Sequence, residues 1–337
     1  MELSNILFDN KENCLQPIKE LNSELIWSIT TLKNGRLISD NKRQIFFHNK
    51  KNYDLKIAYR DKMELTTVSN FTELAESIFC FCEEDLYKDT YCIKIIQLKY
   101  TKKNNIPSFE EIQIIKLGKS NINKIIRINK NTFAGSSNDR TIKIWELNKK
   151  NKKYNLKTKI KINDYIGNDF NNMIPINKKT IVYYSKTYGK KLNKVIIFLN
   201  IIKGKIIKVI HDIECLTGKN SMILVKKRIL IVCALDGVYA IDIQTYNILI
   251  NSKLSGYESS VFNFREGFLV FNRDDEEKKN EYFLKEYTIE KDNNIKLKKN
   301  LLYIDEKKNK INDIIQKDNN TLIILDEYGK ITFWKYP

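Results

Sequence analysis

The chain has little of what punctuates or cross-links ordinary domains. Four prolines and 11 glycines occur in 337 residues, so no Pro/Gly-rich linker divides it, and a single large domain is expected. The two histidines, His48 and His211, are too far apart for a local zinc motif. The six cysteines (Cys14, Cys80, Cys82, Cys92, Cys215 and Cys233) form no C-x-x-C pair. Four of them sit inside hydrophobic runs, as reduced core thiols do. Cys80 and Cys82 alternate onto one face of a strand, and Cys92 on the paired strand makes a soft-metal site conceivable; buried packing is the expectation. No run approaches the roughly 18 uncharged apolar residues of a membrane span. Met1-Glu2-Leu3-Ser4-Asn5 lacks the basic-then-apolar order of a secretion signal. A Gly-rich phosphate loop, a nucleophile elbow and a zincin motif are all missing. The expectation is a cytoplasmic or nuclear protein that is not an enzyme and holds no metal or cofactor.

Arginine is also scarce: eight of the 59 basic residues are Arg, against a net charge of +18. Arg supplies the bidentate contacts to bases and phosphates, so the excess of Lys has two readings. It is a surface that attracts acidic partners or nucleic acid, or it is the composition of an AT-rich coding sequence, which also favours Asn and Ile.

What the chain does have is a period. Thr132-Phe-Ala-Gly-Ser-Ser-Asn-Asp-Arg-Thr-Ile-Lys-Ile-Trp-Glu-Leu147 reads as a strand, a polar tight turn and an alternating strand. Similar first strands recur at Arg36–Ser39, Ser77–Phe81, Thr180–Tyr184, Ile229–Cys233, Gly267–Phe271 and Thr321–Leu325. The position of Trp145 is then taken by His48, Ile96, Phe198, Asp242, Tyr287 and Trp334, at spacings of 44–53 residues. An inner strand precedes several hairpins, as at Lys124–Ile128 and Ser260–Phe264. A Lys/Ile-alternating outer strand follows, as at Glu111–Ile115 and Leu156–Ile160.

Four strands per repeat predict an all-β fold, a seven-bladed β-propeller of four-stranded antiparallel blades. Residues 1–11 read as an N-terminal extension and 12–337 as one propeller. Its blades span about 24–59, 64–117, 121–162, 170–210, 220–253, 257–303 and 309–337. The last repeat stops at Trp334-Lys335-Tyr336-Pro337 without a fourth strand. Cys14-Leu15-Gln16-Pro17-Ile18-Lys19 supplies a candidate that closes the ring by pairing with the last blade and removes an open edge.

Gly135-Ser-Ser-Asn-Asp-Arg-Thr-Ile-Lys-Ile-Trp145 resembles the core of a WD (WD40) repeat, in a divergent form with no subfamily identified. In that family a turn Asp and a following Trp join a Ser/Thr and a His in a buried network. The resemblance assigns Ser137, Asp139 and Trp145 to three of those roles, with Asp236 and Trp334 as further members in other blades. Gly118-Lys119 stands where the family has Gly-His. Lys226-Lys227-Arg228 stands where lipid-binding propellers carry paired arginines, so no membrane partner is expected. The family implies a scaffold that binds proteins or peptide segments, acidic ones included, within a larger complex. The alternative is an RNA-associated propeller using its basic surface. Loops joining second to third strands, and loops joining blades, share one rim of such a ring. Lys42, Arg43, Arg60, Lys119, Arg140 and Arg273 fall in them and form a candidate partner-binding rim.

Overall fold

A computed structural model describes residues 16–21, 26, 28–31, 37–40, 44–48, 55–60, 66–85, 88–100, 107–162, 172–187, 193–216, 220–252, 259–273, 282–290, 295–303, 311–326 and 328–336. The chain begins with strand β1 (Gln16–Leu21). The next sheet is β2 (Ser28–Thr31), β3 (Leu37–Asp40), β4 (Gln44–His48) and β5 (Leu55–Arg60). Then come β6 (Thr66–Ala75), β7 (Ile78–Asp85), β8 (Thr90–Tyr100) and β9 (Pro107–Gly118). The set β10 (Ile122–Asn129), β11 (Thr132–Ser137), β12 (Thr141–Asn148) and β13 (Lys153–Lys161) follows. After it lie β14 (Met173–Pro175), β15 (Thr180–Thr187), β16 (Asn193–Asn200) and β17 (Lys205–His211). Next are β18 (Met222–Val225), β19 (Ile229–Ala234), β20 (Gly237–Asp242) and β21 (Ile248–Ser252), then β22 (Ser259–Phe264), β23 (Gly267–Arg273), β24 (Tyr282–Ile289) and β25 (Ile295–Tyr303). The chain ends with β26 (Ile311–Asp318), β27 (Thr321–Asp326) and β28 (Ile331–Lys335).

Each set of four pairs in sequence order as an antiparallel meander, the blade unit of an all-β propeller. Six of these sheets have every strand-to-strand register described. For β2–β5 the registers run from β3 to β5. The sheet of β26–β28 takes β1 as its fourth strand, with Gln16 opposite Lys335, Pro17 opposite Trp334 and Leu21 opposite Ile331. The chain divides into two compact units. One comprises residues 30–219 and the other residues 1–29 with 220–337.

Within each unit the burial follows the strand order. The middle strands β19 (Ile-Leu-Ile-Val-Cys-Ala) and β20 (Gly-Val-Tyr-Ala-Ile-Asp) are buried along their whole length. The outer strands β13 and β17 are mostly exposed. Middle strands covered on both faces need apolar residues at every position, whereas an outer strand with one wet face alternates Lys with Ile. In the 30–219 unit, alternate residues therefore feed separate clusters. Phe47 and Ile45 meet Phe79, Phe81 and Ile96. Cys80, Cys82, Ile93 and Ile95 meet Phe133 and Trp145. Ala134, Ile142 and Ile144 meet Ile181, Tyr183, Val195, Ile197 and Leu199.

The structure corrects the repeat alignment at two positions. A bulge in the pairing of third and fourth strands falls immediately before His48, Ile96, Trp145 and Tyr287. In the three remaining sheets it falls before Trp334, Leu199 and Ile241. These residues, not Phe198 and Asp242, are the equivalents of Trp145. Cross-strand partners agree: Phe133 faces Trp145, Phe79 faces Ile96, Ile181 faces Leu199 and Leu230 faces Ile241. A one-residue slip turns a side chain to the opposite face. Asp242 is thus the last residue of β20, opposite Ile229, and its carboxylate accepts from Arg228 at 2.8 Å and from the Gln244 amide of the following turn at 2.8 Å.

The cysteine reading changes as well. Cys80 and Cys82 share a buried face, and burial pushes the Cys82 thiol up to about 11. Cys92 pairs with Glu83, whereas Cys82 pairs with Ile93. Its side chain therefore leaves by the other face and does not converge with the first two. Among the described residues no group of three His, Cys, Asp or Glu side chains is placed to hold a metal ion, and no helix is long and apolar enough to cross a membrane.

Candidate protein-docking rim

The turn between β11 and β12 holds Asn138, Asp139 and Arg140, flanked by the Ser137–Thr141 pair. Arg140 adopts φ 61° and its amide donates to the Ser137 carbonyl at 3.1 Å. This is a three-residue hairpin whose last residue is left-handed, a place usually given to Gly. Three bonds tie the turn to its surroundings. The Asn138 amide donates to Asn121 O at 3.2 Å, Ser120 Oγ donates to Asp139 Oδ2 at 3.4 Å, and the Ile162 amide donates to Arg140 O at 3.3 Å. The segment entering the sheet, its central turn and the segment leaving it thus lie together at one end.

Asp139 organises that end. Its Oδ1 accepts from Thr141 Oγ1 at 2.5 Å, and its Oδ2 lies 3.0 Å from both Lys143 Nζ and Lys159 Nζ. Lys143 is only 9% exposed and also donates to Ser137 Oγ at 3.2 Å. Ser137 Oγ in turn donates to Asn121 O at 2.9 Å. Burial pulls the Asp139 carboxyl upward. The bonds from Thr141, Lys143, Lys159 and Ser137 outweigh it and hold the group well below the usual carboxylate range. The stability it lends is therefore full above its unfolded value near pH 3.9 and is lost as pH falls toward the folded value. Asp139→Asn is expected to cost about 1–3 kcal/mol at pH 7, because Lys143 loses its buried counter-charge. In urea titrations the gap from the parent should narrow below about pH 4; a pH-independent gap would show that the charge is not what matters.

The other residues of the WD-type set take different positions. Trp145 is fully buried and stacks on Phe133 with centroids 4.9 Å apart. Its ring lies over Gly135, where an added Cβ would come within 3.1 Å of it. Trp334 Nε1 donates to Thr332 Oγ1 at 2.6 Å. His48, at the Trp145 position of the first sheet, is buried and hydrogen-bonds through Nε2 with Ser39 Oγ at 2.8 Å. Asp236 is exposed and accepts from Tyr239 OH at 2.5 Å within its own hairpin.

Lys119, just after β9, and Arg140 are both exposed and flank the Asp139 turn. Arg60 ends β5 and Arg273 ends β23, but their side chains lie outside the described residues, as do Lys42 and Arg43 altogether. The rim is not uniformly basic. Before β8 the loop offers Glu84, Asp85 and Asp89, with Lys88 paired to Asp85 at 3.4 Å and Tyr91 OH donating to Glu84 at 2.8 Å. Sequence reading missed Thr141, Lys143, Lys159 and Ser120. The signal was present for two of them, because Thr141 and Lys143 alternate with Trp145 onto one face.

No protein-family model and no curated protein matches the chain. Solved structures do. A structure of U3-55K superposes with a TM-score of 0.63 at 10% identity, covering 95% of this chain and 98% of that one. The C-terminal WD40 domain of Sif2 superposes with a TM-score of 0.59 at 13% identity, covering 96% and 99%. With four-stranded antiparallel blades throughout, and solved WD40 structures matched over nearly all of its length, the chain has the WD40-type β-propeller fold.

Proposed function

We propose that the chain is a non-catalytic scaffold, closed as a seven-bladed ring by β1, that docks protein or peptide segments on the rim carrying Lys119 and Arg140. The observation that carries this reading is the rigid, cross-tied turn at Asn138–Arg140. A turn bonded to both flanking loops holds its exposed cation in a fixed position, and preorganisation of this kind lowers the entropic cost of binding. The pairing of β1 with β28 supports ring closure, since it leaves neither strand as a free edge. The sequence repeat makes Lys42, Arg43, Arg60 and Arg273 the other members of the proposed rim, and acidic segments suit it.

The reading is tested by affinity purification and mass spectrometry of the parent and of the triple variant Arg43→Glu, Arg140→Glu, Arg273→Glu. A partner recovered in stoichiometric amount by the parent is expected to fall at least tenfold with the variant. Equal recovery would refute the rim as the docking surface.

A further inference from the structure

The other end of two neighbouring sheets carries a different charge pattern. In the sheets β10–β13 and β14–β17, the turns joining first to second and third to fourth strands emerge opposite the Asp139 end. These four turns and the strand residues that leave them carry Lys130, then Lys149, Lys150, Lys152 and Lys153, then Lys178 and Lys179, then Lys203 and Lys205. All nine lysines are exposed, and the four turns contain no Asp or Glu. None of the nine is ion-paired with a described residue. Glu146, the one acid on β12, is already paired with Lys157 at 2.7 Å.

The turns are built alike. Each opens on an Asn whose Oδ1 accepts backbone amides beyond it. Asn129 takes the Asn131 amide at 2.9 Å, and Asn148 and Asn151 take Lys150 and Lys153 at 2.9 and 3.0 Å. Asn177 takes Lys179 and Thr180 at 2.8 and 3.0 Å, and Asn200 takes Ile202 and Lys203 at 3.0 and 2.9 Å. The Asn side chains satisfy the backbone of each turn, which leaves the lysine heads to solvent.

Composition alone does not explain this. Random placement of the chain's 59 basic and 41 acidic residues would be expected to set some acids among nine lysines. At the opposite end of the same two sheets acids stand among the cations: Asp139 matches Lys143 and Lys159, and Glu214 matches Lys194, while Lys119 and Arg140 are not ion-paired with a described residue. In the 220–337 unit the cations of the corresponding turns are paired more often, Lys227 excepted. Arg228 pairs with Asp242 at 2.8 Å, Lys226 lies 3.8 Å from Glu266, Arg265 lies 4.0 Å from Glu286, and Lys317 lies 3.9 Å from Asp318. Turns that hold several exposed lysines and no acid are gathered at this end of the two sheets.

We infer that this lysine end binds the phosphodiester backbone of nucleic acid without reading sequence. Lys is a mobile point charge that neutralises phosphates. The four turns offer neither an aromatic platform nor an Arg fork for the bases. Ile202 in one of the turns and Ile206 and Leu156 beside them are exposed and would suit a peptide with apolar anchors. Nine cations spread over four turns suit a uniformly charged polymer better, and the peptide is one outcome of the test. The inference goes beyond the scaffold proposal and uses the opposite end of the sheets, so either can fail alone.

The test is fluorescence anisotropy with a labelled single-stranded RNA of mixed sequence, its DNA counterpart, an acidic peptide and vesicles containing phosphatidylserine. The variant carries Lys149, Lys150, Lys152, Lys178, Lys179 and Lys203 all changed to Glu, with the six Gln substitutions as a milder form. The control carries Lys119→Glu and Arg140→Glu. Six phosphate contacts on a single strand predict a roughly 300-fold loss of affinity between 50 and 200 mM salt. The six-Glu variant should bind at least tenfold more weakly with a flatter salt slope, its thermal midpoint and circular dichroism unchanged, while the control binds as the parent does. If the six-Glu variant loses its fold, the Gln form must show the same loss in smaller measure. Preference for RNA over DNA, or the reverse, identifies which nucleic acid is held. The inference is overturned if the parent binds neither nucleic acid at 50 mM salt. It is equally overturned if the lysine variants bind as the parent does, or if only the peptide or the vesicles respond to them.

Discussion

Trp145→Ala is expected to destabilise the 30–219 unit by about 3–5 kcal/mol, the range for truncating a fully buried aromatic. The size follows from where the indole sits. It stacks on Phe133 and lies in one apolar cluster with Cys80, Cys82, Ile93 and Ile95 of the preceding sheet. Its removal therefore empties space between two sheets rather than inside one. Phe133 loses its stacking partner at the same time, and Gly135 offers no side chain to collapse into the gap. Trp145→Phe should recover more than half of the loss, because the ring stacking survives. Urea unfolding followed by circular dichroism gives the number. A cost under 1 kcal/mol for the Ala variant would mean that the sheets do not depend on this contact.

Changing Glu83 to Ala is expected to cost about 3–5 kcal/mol by a different route. Glu83 on β7 pairs with Lys94 on β8 at 2.7 Å, with side chains only 8% and 9% exposed. Removal of the carboxylate takes from a buried ammonium the counter-charge 2.7 Å away in a poorly solvated site, and that penalty exceeds the net attraction the intact pair provides. The double change Glu83→Leu, Lys94→Met should therefore be far milder than Glu83→Ala, and neutral to about 4 kcal/mol more stable than the parent. If the double variant were as unstable as the single one, the loss would belong to packing rather than to the uncompensated charge.

The strand sets were legible because most of these sheets are local hairpins, and local hairpins announce themselves through alternation and turn residues. Thr132–Leu147 shows this best, with its polar turn set between two apolar strands. Two first strands escaped notice for opposite reasons. β6 (Thr-Thr-Val-Ser-Asn-Phe-Thr-Glu-Leu-Ala) is too polar to read as a strand, and β18 (Met-Ile-Leu-Val) is too short to show a period. The slips at Phe198 and Asp242 arose because β16 and β20 carry consecutive apolar residues, Val195–Leu199 and Val238–Ile241, so composition does not show which face a residue takes. Asp139 was legible as the organiser of its turn. Its partners were less so, because Lys159 arrives from a fourth strand 20 residues away. The lysine-only turns were missed because attention went to the scarcer cation, arginine.

The pairing of β1 with β28 also bears on the order in which the protein assembles. The other sheets can grow by zipping neighbouring strands across short connections. β1 must instead find a partner across roughly 300 residues of chain. Loop-closure entropy makes that step about 4 kcal/mol more costly to initiate than closing a turn of three residues. Strands β26, β27 and β28 can form their own meander first, and β1 gains its partner only once β28 exists. During synthesis the earliest strand of the chain thus waits longest, its edge open to other chains until the last sheet is made.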